Sequence, residues 1–198
     1  MVFCASCTSE ISLELKKDGS VDVEFSALAG KAFATMINSV SGNGAVSSSV
    51  IFDTKEIEYE MSSNGFSQVK AASKNGSDLT VTMTDKKGNS ALFSSGVVSI
   101  KDGKLNAALS PQSLINFYKE ADSQTVMFLD MLLAPIFNDE VMTEEEYLEV
   151  LAAFYGDEIA EEMKKSSFRI TLKNPDGRTS VQNIGFTKLL TLNEVLRF

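Results

Sequence analysis

Short segments of alternating apolar and polar residues, joined by Asp-Gly, constrain the fold of this chain more than any other feature. Residues 11–15 alternate before Asp18-Gly19, and residues 21–25 alternate after it. An Asp-Gly pair between two such segments predicts a β-hairpin with a tight type I′ turn, because both turn residues need positive φ. The same pattern recurs around Asp102-Gly103, Asp176-Gly177 and Asn75-Gly76. The chain is therefore predicted to contain several antiparallel hairpins.

Between the hairpins the apolar residues recur with a helical period. Asp53 with Glu56 predicts the start of a short helix, and Ser110-Pro111 predicts another, since proline fits the first helical position. Thr143 and Glu146 form a capping box sequence, and Gly156 is expected to end the helix that follows. The predicted buried residues of that helix are Tyr147, Leu148, Leu151 and Phe154.

These patterns predict an α+β fold, with a curved antiparallel sheet built from hairpins and helices packed on one face. The helices concentrate in an insertion at about residues 111–165. We expect residues 1–8 to be a signal-peptide remnant with a tether that runs on to Glu10, and residues 9–198 to form one domain. Hairpins and helices alternate in two similar passes, 9–85 and 95–185, which suggests a pseudo-duplication.

The C-terminal run from Ile184 to Phe198 is predicted to close the core as a strand or a short helix. An exposed edge strand there would instead pair with another chain.

Composition excludes several classes of function. Acidic residues outnumber lysine and arginine by 27 to 18, and the resulting net charge of −9 repels the phosphates of nucleic acids. The chain contains no histidine, so it lacks the commonest catalytic base and zinc ligand. We therefore expect no enzymatic activity, no cofactor and no bound metal. A soluble hydrolase with two converging carboxylates is the alternative.

Acidic residues cluster in two runs, at 139–149 and 157–162. The runs lack the alternating spacing and central glycine of a calcium-binding loop. Negative charge in a first helical turn is favourable for the helix dipole alone. We interpret both runs as solvated helix faces.

The first residues carry the clearest functional pattern. Ala5 and Ser6 are small and directly precede Cys7, after a mainly apolar start. This segment resembles the end of a bacterial lipoprotein signal peptide, in which an apolar residue and two small residues precede the cysteine that becomes diacylated. The resemblance implies that Cys7 is the lipidated N-terminus of the mature chain. Cys4 is the alternative, but bulky Phe3 matches poorly the small residue that precedes the cut.

The segment departs from the lipoprotein pattern in two respects. Cys4 stands where leucine is usual, and neither a basic region nor a full apolar region precedes it. The relaxed pattern of spirochaete envelope lipoproteins, which the chain resembles in style, accommodates the first departure. The second suggests that Met1 lies within a longer precursor. Two other interpretations stay open: a tail with two free thiols, and a redox pair outside its usual structural context.

The lipoprotein resemblance implies an address. The domain would face the periplasm or the cell surface, and the acyl chains on Cys7 would hold it to the bilayer. A ligand or partner is not implied by these few residues.

The segment from Thr125 to Phe137 is apolar on nearly every side. At about 13 residues it is shorter than the roughly 20 that span a bilayer. It is expected to be a core helix, the lining of a cavity for a lipid-like ligand, or a surface that docks on lipid or an envelope protein. The candidate residues for such a surface are Val126, Met127, Leu129, Met131, Leu132, Leu133, Ile136 and Phe137.

Overall fold

The computed structural model describes residues 8–40, 52–86, 88–119, 132 and 141–198. Within them the chain forms two β-sheets and a set of helices. The strands are β1 (Thr8–Leu15), β2 (Val21–Leu28), β3 (Ser67–Ala72), β4 (Asp78–Asp85), β5 (Val98–Lys101), β6 (Lys104–Leu109), β7 (Ser167–Lys173), β8 (Thr179–Gly185) and β9 (Leu196–Arg197). The helices are α1 (Lys31–Val40), α2 (Thr54–Ser63), α3 (Ala91–Ser94), α4 (Pro111–Lys119), α5 (Glu144–Tyr155), α6 (Asp157–Lys164) and α7 (Phe186–Leu190).

The larger sheet is curved and open, with the strand order β3-β4-β2-β1-β7-β8. The smaller sheet has the order β5-β6-β9. The predicted α+β class and hairpin-built sheet are confirmed. The pairing is antiparallel with one exception, because β1 and β7 run parallel, from Thr8 opposite Ser167 to Glu14 opposite Lys173. Sequence periodicity gave no sign of this parallel pair.

Alternation along the strands gives the larger sheet one apolar face. Leu13, Val23, Val81 and Leu172 are each at most 2% exposed and lie in the same core. The smaller sheet contributes Leu105 to that core, and the helices cover much of the rest. Burying such side chains is worth about 1.5–3 kcal/mol each, which is the main source of stability for a fold of this kind.

The length and type of each hairpin turn depend on the alternation of apolar residues in the strands and not on the Asp-Gly pair alone. Asp102 and Gly103 both have positive φ, at 52° and 69°, so the predicted type I′ turn is confirmed there. At Asp18-Gly19, Asn75-Gly76 and Asp176-Gly177 it is wrong, since only the glycine of each pair has positive φ. The Gly19 N–H donates to the Lys16 carbonyl at 3.1 Å. A two-residue turn there would pair apolar Leu15 with a polar residue. A longer, bulged turn keeps the apolar residues on one face.

The helix starts agree with the capping residues that the sequence offers. Asp53 accepts hydrogen bonds from the N–H groups of Lys55 and Glu56, and the capping box of Thr143 and Glu146 is formed at the start of α5. Gly156 separates α5 from α6, with φ at 92°. These predictions are confirmed because they depend on residues within one helical turn of each other.

Helices α4, α5 and α6 occupy the predicted insertion between β6 and β7. Tyr147 and Leu151 are buried as expected, but Phe154 is 78% exposed, so its predicted burial is wrong. In the last turn of α5, Tyr155 instead packs against the core. The C-terminal run contains both expected elements, helix α7 and strand β9.

The two predicted passes share the order of their elements, with a hairpin, helices and a second hairpin in each. Their strand pairing differs. In the first pass β2 joins β4, whereas in the second β5 and β6 form part of the smaller sheet and β7 joins β1. A duplication stays a prediction.

Glu162 on α6 holds the start of α1. Its carboxylate accepts hydrogen bonds from the N–H groups of Ala32 and Phe33, each at 3.1 Å, and the residue is 9% exposed. A carboxylate at a helix N-terminus satisfies free N–H groups and complements the helix dipole. A Cβ atom at Gly30 would collide with this carboxylate, so glycine is required for the close approach. The contact ties together α1 and α6, whose bonded residues are 130 and 129 positions apart in the chain.

We predict that Glu162→Ala lowers the free energy of unfolding by about 1–3 kcal/mol, because two N–H groups lose their acceptor in a largely buried place. Urea titration measures the change. Gly30→Ala should produce a similar loss by displacing the carboxylate, and the double variant should be less unstable than the sum.

Glu161→Ala is the matched control. Glu161 is on the same helix, and its side chain is 60% exposed beside Lys165. Its removal is expected to cost about 0.5 kcal/mol or less. Equal losses for Glu161→Ala and Glu162→Ala would contradict the assigned role of Glu162.

Candidate functional site

The face of the larger sheet that points away from the core is the best candidate for a functional surface. We call it the outer face. Strand alternation places mainly polar and small residues on it, in contrast to the apolar core face. Its residues on the five strands β4, β2, β1, β7 and β8 are Asp78, Thr80, Thr82, Thr84, Asp22, Glu24, Ser26, Leu28, Thr8, Glu10, Ser12, Glu14, Ser167, Arg169, Thr171, Lys173, Thr179, Val181, Asn183 and Gly185.

Two depressions lie on the outer face, one toward each end of the strands. The first, of about 540 Å³, is at the end where β1 begins, and Thr8, Asp78 and Arg169 contribute to its lining. The second, of about 660 Å³, is at the opposite end, between Glu14, Asp22 and neighbouring residues of β3 and β4. Hydroxyl groups and charged groups of both signs line them. Such linings suit hydrogen bonding to a polar surface better than the enclosure of an acyl chain.

Acidic side chains on β1 and β2 lie beside basic side chains of Lys16 and of β7 on the outer face. Glu14 and Asp22 lie opposite each other on β1 and β2, and Lys16 Nζ bridges them at 2.7 Å and 3.3 Å. Hydrogen bonds to Glu14 and Asp22 raise the pKa of Lys16. On the other side of β1, Arg169 lies opposite Glu10 and Lys173 opposite Glu14. The side chains are exposed enough for solvent to screen them, so the pattern favours orientation of a partner more than stability.

Asp78 organises the turn beside the first depression. Its carboxylate accepts hydrogen bonds from the N–H groups of Asn75 and Lys74, each at 2.9 Å, and from the Ser73 hydroxyl. The hydrogen bond from Asn75 is the largest cause of a lowered pKa for Asp78, and those from Lys74 and Ser73 add to it. The carboxylate therefore stays ionised to lower pH than usual and fixes this corner of the outer face.

Two buried carboxylates lie away from the outer face and serve the backbone. Asp85 is fully buried and accepts hydrogen bonds from the N–H groups of Gly88 at 2.7 Å and Ser90 at 2.9 Å. Glu162 accepts from the start of α1. Each carboxylate satisfies backbone donors that would otherwise lose hydrogen bonds on burial. The hydrolase hypothesis thus gains no support from these two groups.

The acidic runs lie where the helix dipole favours them. Glu144, Glu145 and Glu146 occupy the first turn of α5, and Asp157 and Glu158 the first turn of α6. In the described ranges no group of three or more acidic or cysteine side chains could hold a metal ion.

Most of the residues predicted as functional lie outside the described residues. Cys4 and Cys7 precede them, and of the eight residues proposed for an apolar surface the structure describes Leu132 alone. Leu132 is 3% exposed, and its carbonyl accepts a hydrogen bond from the Tyr147 hydroxyl at 3.1 Å. Burial raises the pKa of Tyr147. Leu132 is therefore a core residue.

The outer face is a candidate that the sequence-based predictions did not include. Its signal is present in the chain, because the polar positions of β1, β2 and β4 alternate with the apolar ones. The apolar residues of these strands mark the opposite face, which packs on the core. Strand alignment, which brings Glu10 beside Arg169, requires the structure.

No helix in the described part of the chain is long and apolar enough to cross a membrane. Comparison with protein-family models, with curated proteins and with solved structures found no match to this chain.

We predict that Asp78→Asn destabilises the fold at neutral pH and that the difference from the native chain shrinks in acid. The folded-state pKa of Asp78 is below its ordinary value of 3.8. Its ionised form therefore stabilises the fold above that value, and the effect is lost as the pH falls through the lower folded pKa. Urea midpoints across this range measure it. Glu24→Gln, an exposed change on the same face, is the control, and the same pH dependence in both variants would contradict the role of Asp78.

Proposed function

We propose that this chain is the extracytoplasmic domain of a lipid-anchored bacterial cell-envelope protein that binds a second envelope protein through its outer face. The N-terminal pattern Ala5-Ser6-Cys7 supports the anchor. The width and polarity of the outer face support binding of a protein surface. No catalytic step is part of the proposal.

The position of β1 supports Cys7 as the anchoring residue. β1 begins at Thr8, so cleavage before Cys7 would remove no residue of the described fold. The expectation that Thr8, Ser9 and Glu10 form a tether is wrong, because they belong to β1. An acyl chain on Cys7 would thus be one residue from the sheet. The first depression, which Thr8 lines, would then adjoin the bilayer.

The polarity of the outer face favours a protein over an apolar ligand as the partner. Glu24 lies on the interior strand β2 of this face and Thr82 lies opposite it on β4, and both are exposed. Protein interfaces of ordinary polarity use such mixed hydroxyl and charged groups, whereas pockets for lipids are mainly apolar. The proposed apolar site in residues 126–137 gains no such support, since the one described member, Leu132, is in the core.

We predict that the protein, expressed from its full reading frame in a host with an outer membrane, carries a diacylglyceryl group on Cys7. Intact mass should show the increment, and globomycin should cause the unprocessed precursor to accumulate. Cys7→Ala should abolish both effects, while Cys4→Ala should change neither. Loss of acylation in Cys4→Ala alone would transfer the anchor to Cys4, and an unmodified native protein would overturn the lipoprotein assignment.

A second prediction concerns the outer face. A photoreactive residue at Thr82 should crosslink in cells to an envelope protein, because Thr82 is exposed on the face, opposite Glu24. The same residue at Tyr59, which is 71% exposed on α2, is the matched control. Mass spectrometry of the products measures the difference. Identical products from both positions would contradict use of the outer face.

A further inference from the structure

A row of polar side chains crosses the first depression from strand to strand, and each member lies opposite the next. The row consists of Thr80, Ser26, Glu10, Arg169 and Asn183. Within the part of the chain that the structure describes, none of these five side chains forms a hydrogen bond or an ion pair. Their donors and acceptors are therefore available to a ligand.

Glu10 and Arg169 are the charged pair of this row. They lie side by side on the parallel strands β1 and β7, whose backbones are about 4.8 Å apart. The guanidinium of an arginine offers five N–H donors in a fork that fits phosphate and carboxylate oxygens. A carboxylate accepts hydrogen bonds from an ammonium group. The depression thus presents a group that binds anions directly beside a group that binds cations.

The corresponding pair at the other end of the strands is already occupied. Glu14 lies opposite Lys173 on the same two strands, but its carboxylate is bound to Lys16 Nζ at 2.7 Å. Lys16 also contacts Asp22 at 3.3 Å. The carboxylates near the second depression are therefore paired within the chain, whereas Glu10 and Arg169 are not. This contrast favours the first depression as the place where a small charged group binds.

The spacing of the two charges narrows the chemistry of the ligand. A lone phosphate would place negative charge beside Glu10, which opposes its binding. In an α-amino acid the carboxylate and the ammonium share one carbon atom, so they are closer together than two neighbouring strands. A phosphate joined to a primary ammonium through two carbon atoms spans Arg169 and Glu10 better. The Asn183 amide, beside Arg169, adds a donor for the phosphate oxygens.

The rim of the first depression carries an exposed apolar residue at the end where the chain emerges. Leu28 is 45% exposed and lies opposite Thr8, which Cys7 directly precedes in the chain. Glu10 is three residues beyond Cys7, about 10 Å along an extended strand. The headgroup layer of a bilayer leaflet is roughly 5–8 Å thick. An acylated Cys7 would therefore place Leu28 at the membrane surface and the depression beside the headgroups.

We propose that the first depression binds the zwitterionic headgroup of a phospholipid, with the phosphate on Arg169 and a primary ammonium on Glu10. The partner is a lipid surface that carries phosphoethanolamine headgroups. The position beside the bilayer rests on the proposed anchor at Cys7, whereas the binding chemistry rests on the depression alone. This contact orients the sheet on the membrane and leaves Glu24 and Thr82, which line the second depression, to a protein partner.

Titration with glycerophosphoethanolamine, the headgroup without acyl chains, tests the chemistry. The full chain carries Cys4→Ser and Cys7→Ser, so the result does not depend on acylation. The amide signals of residues 8–10 and 167–169 should shift in nuclear magnetic resonance spectra. Glycerophosphocholine should bind roughly fivefold more weakly, because its quaternary ammonium has no N–H to donate to Glu10.

Two exposed-face variants separate the two halves of the site. Arg169→Gln should weaken the binding of both compounds roughly tenfold, since the phosphate loses its charged donor. Glu10→Gln should remove the preference for ethanolamine over choline. Lys173→Gln is the matched control, because Lys173 is on the same strand and face but four residues away, and its affinity should equal that of the native chain.

Several results of the titration would overturn the proposal. They are the absence of binding, equal binding of the two compounds by the native chain, and full binding by Arg169→Gln. Tighter binding of inorganic phosphate or of glycine than of glycerophosphoethanolamine would also overturn it, because either ligand lacks the spacing on which the assignment depends.

A tryptophan at Leu28 tests the contact with the lipid surface. The native chain contains no tryptophan, so the new residue is the only source of indole emission. Leu28→Trp, with Cys4→Ser, is coupled through Cys7 to a maleimide lipid in vesicles of phosphatidylcholine and phosphatidylethanolamine. Its emission should move to shorter wavelength. Val181→Trp, a position 48% exposed on the same face and farther from Cys7, is the control and should not shift.

The two measurements fail separately from the anchor. A headgroup titration that succeeds without a shift for Leu28→Trp would overturn the lipid surface as the partner. A native chain without acyl groups in cells would overturn the proposed anchor and leave the titration result in place.

Discussion

The parallel pairing of β1 with β7 is the interaction on which the rest of the structure depends. β1 lies in the interior of the larger sheet, with β2 on one side and β7 on the other. One neighbour follows it directly through a hairpin, and the other comes from near the C-terminus. The core residues Leu13 and Leu172 are thereby placed side by side. Such a long-range pairing pays a large loop-closure entropy before it gains contacts, so it cannot form from local preferences alone.

Glu162 reinforces the same junction from the helical side. Its carboxylate joins α6, directly before β7, to α1, directly after β2. The same two regions of the chain therefore hold together both the sheet, through β1 and β7, and the helices, through α1 and α6. A polar contact that is nearly buried adds specificity here, because the two N–H groups of α1 would otherwise lack this acceptor.

The distinction between local and long-range contacts also separates what could be predicted from the sequence from what could not. The hairpins, the caps at Asp53 and Thr143, and the break at Gly156 depend on neighbouring residues, and they are confirmed. The parallel pair, the second sheet and the role of Glu162 depend on residues far apart, and no local pattern encoded them.

Phe154 shows the limit of periodicity, since its helical position is right for burial and the end of α5 leaves it exposed. The candidate surface was missed for a related reason, because the outer face arises only when several strands are aligned. The lipobox resemblance at Cys7 needs no fold at all, and it stays a prediction.

Amide hydrogen exchange across the full chain tests the central claim, that β1 and β7 close one cooperative structure, most directly. The amides of residues 11–15 and 168–172 should be among the slowest to exchange and should open with the same free energy as global unfolding. A contradiction would be independent opening, with residues 167–185 exchanging at low cost while β1 and β2 stay protected. That result would make the C-terminal hairpin an appendage of the sheet.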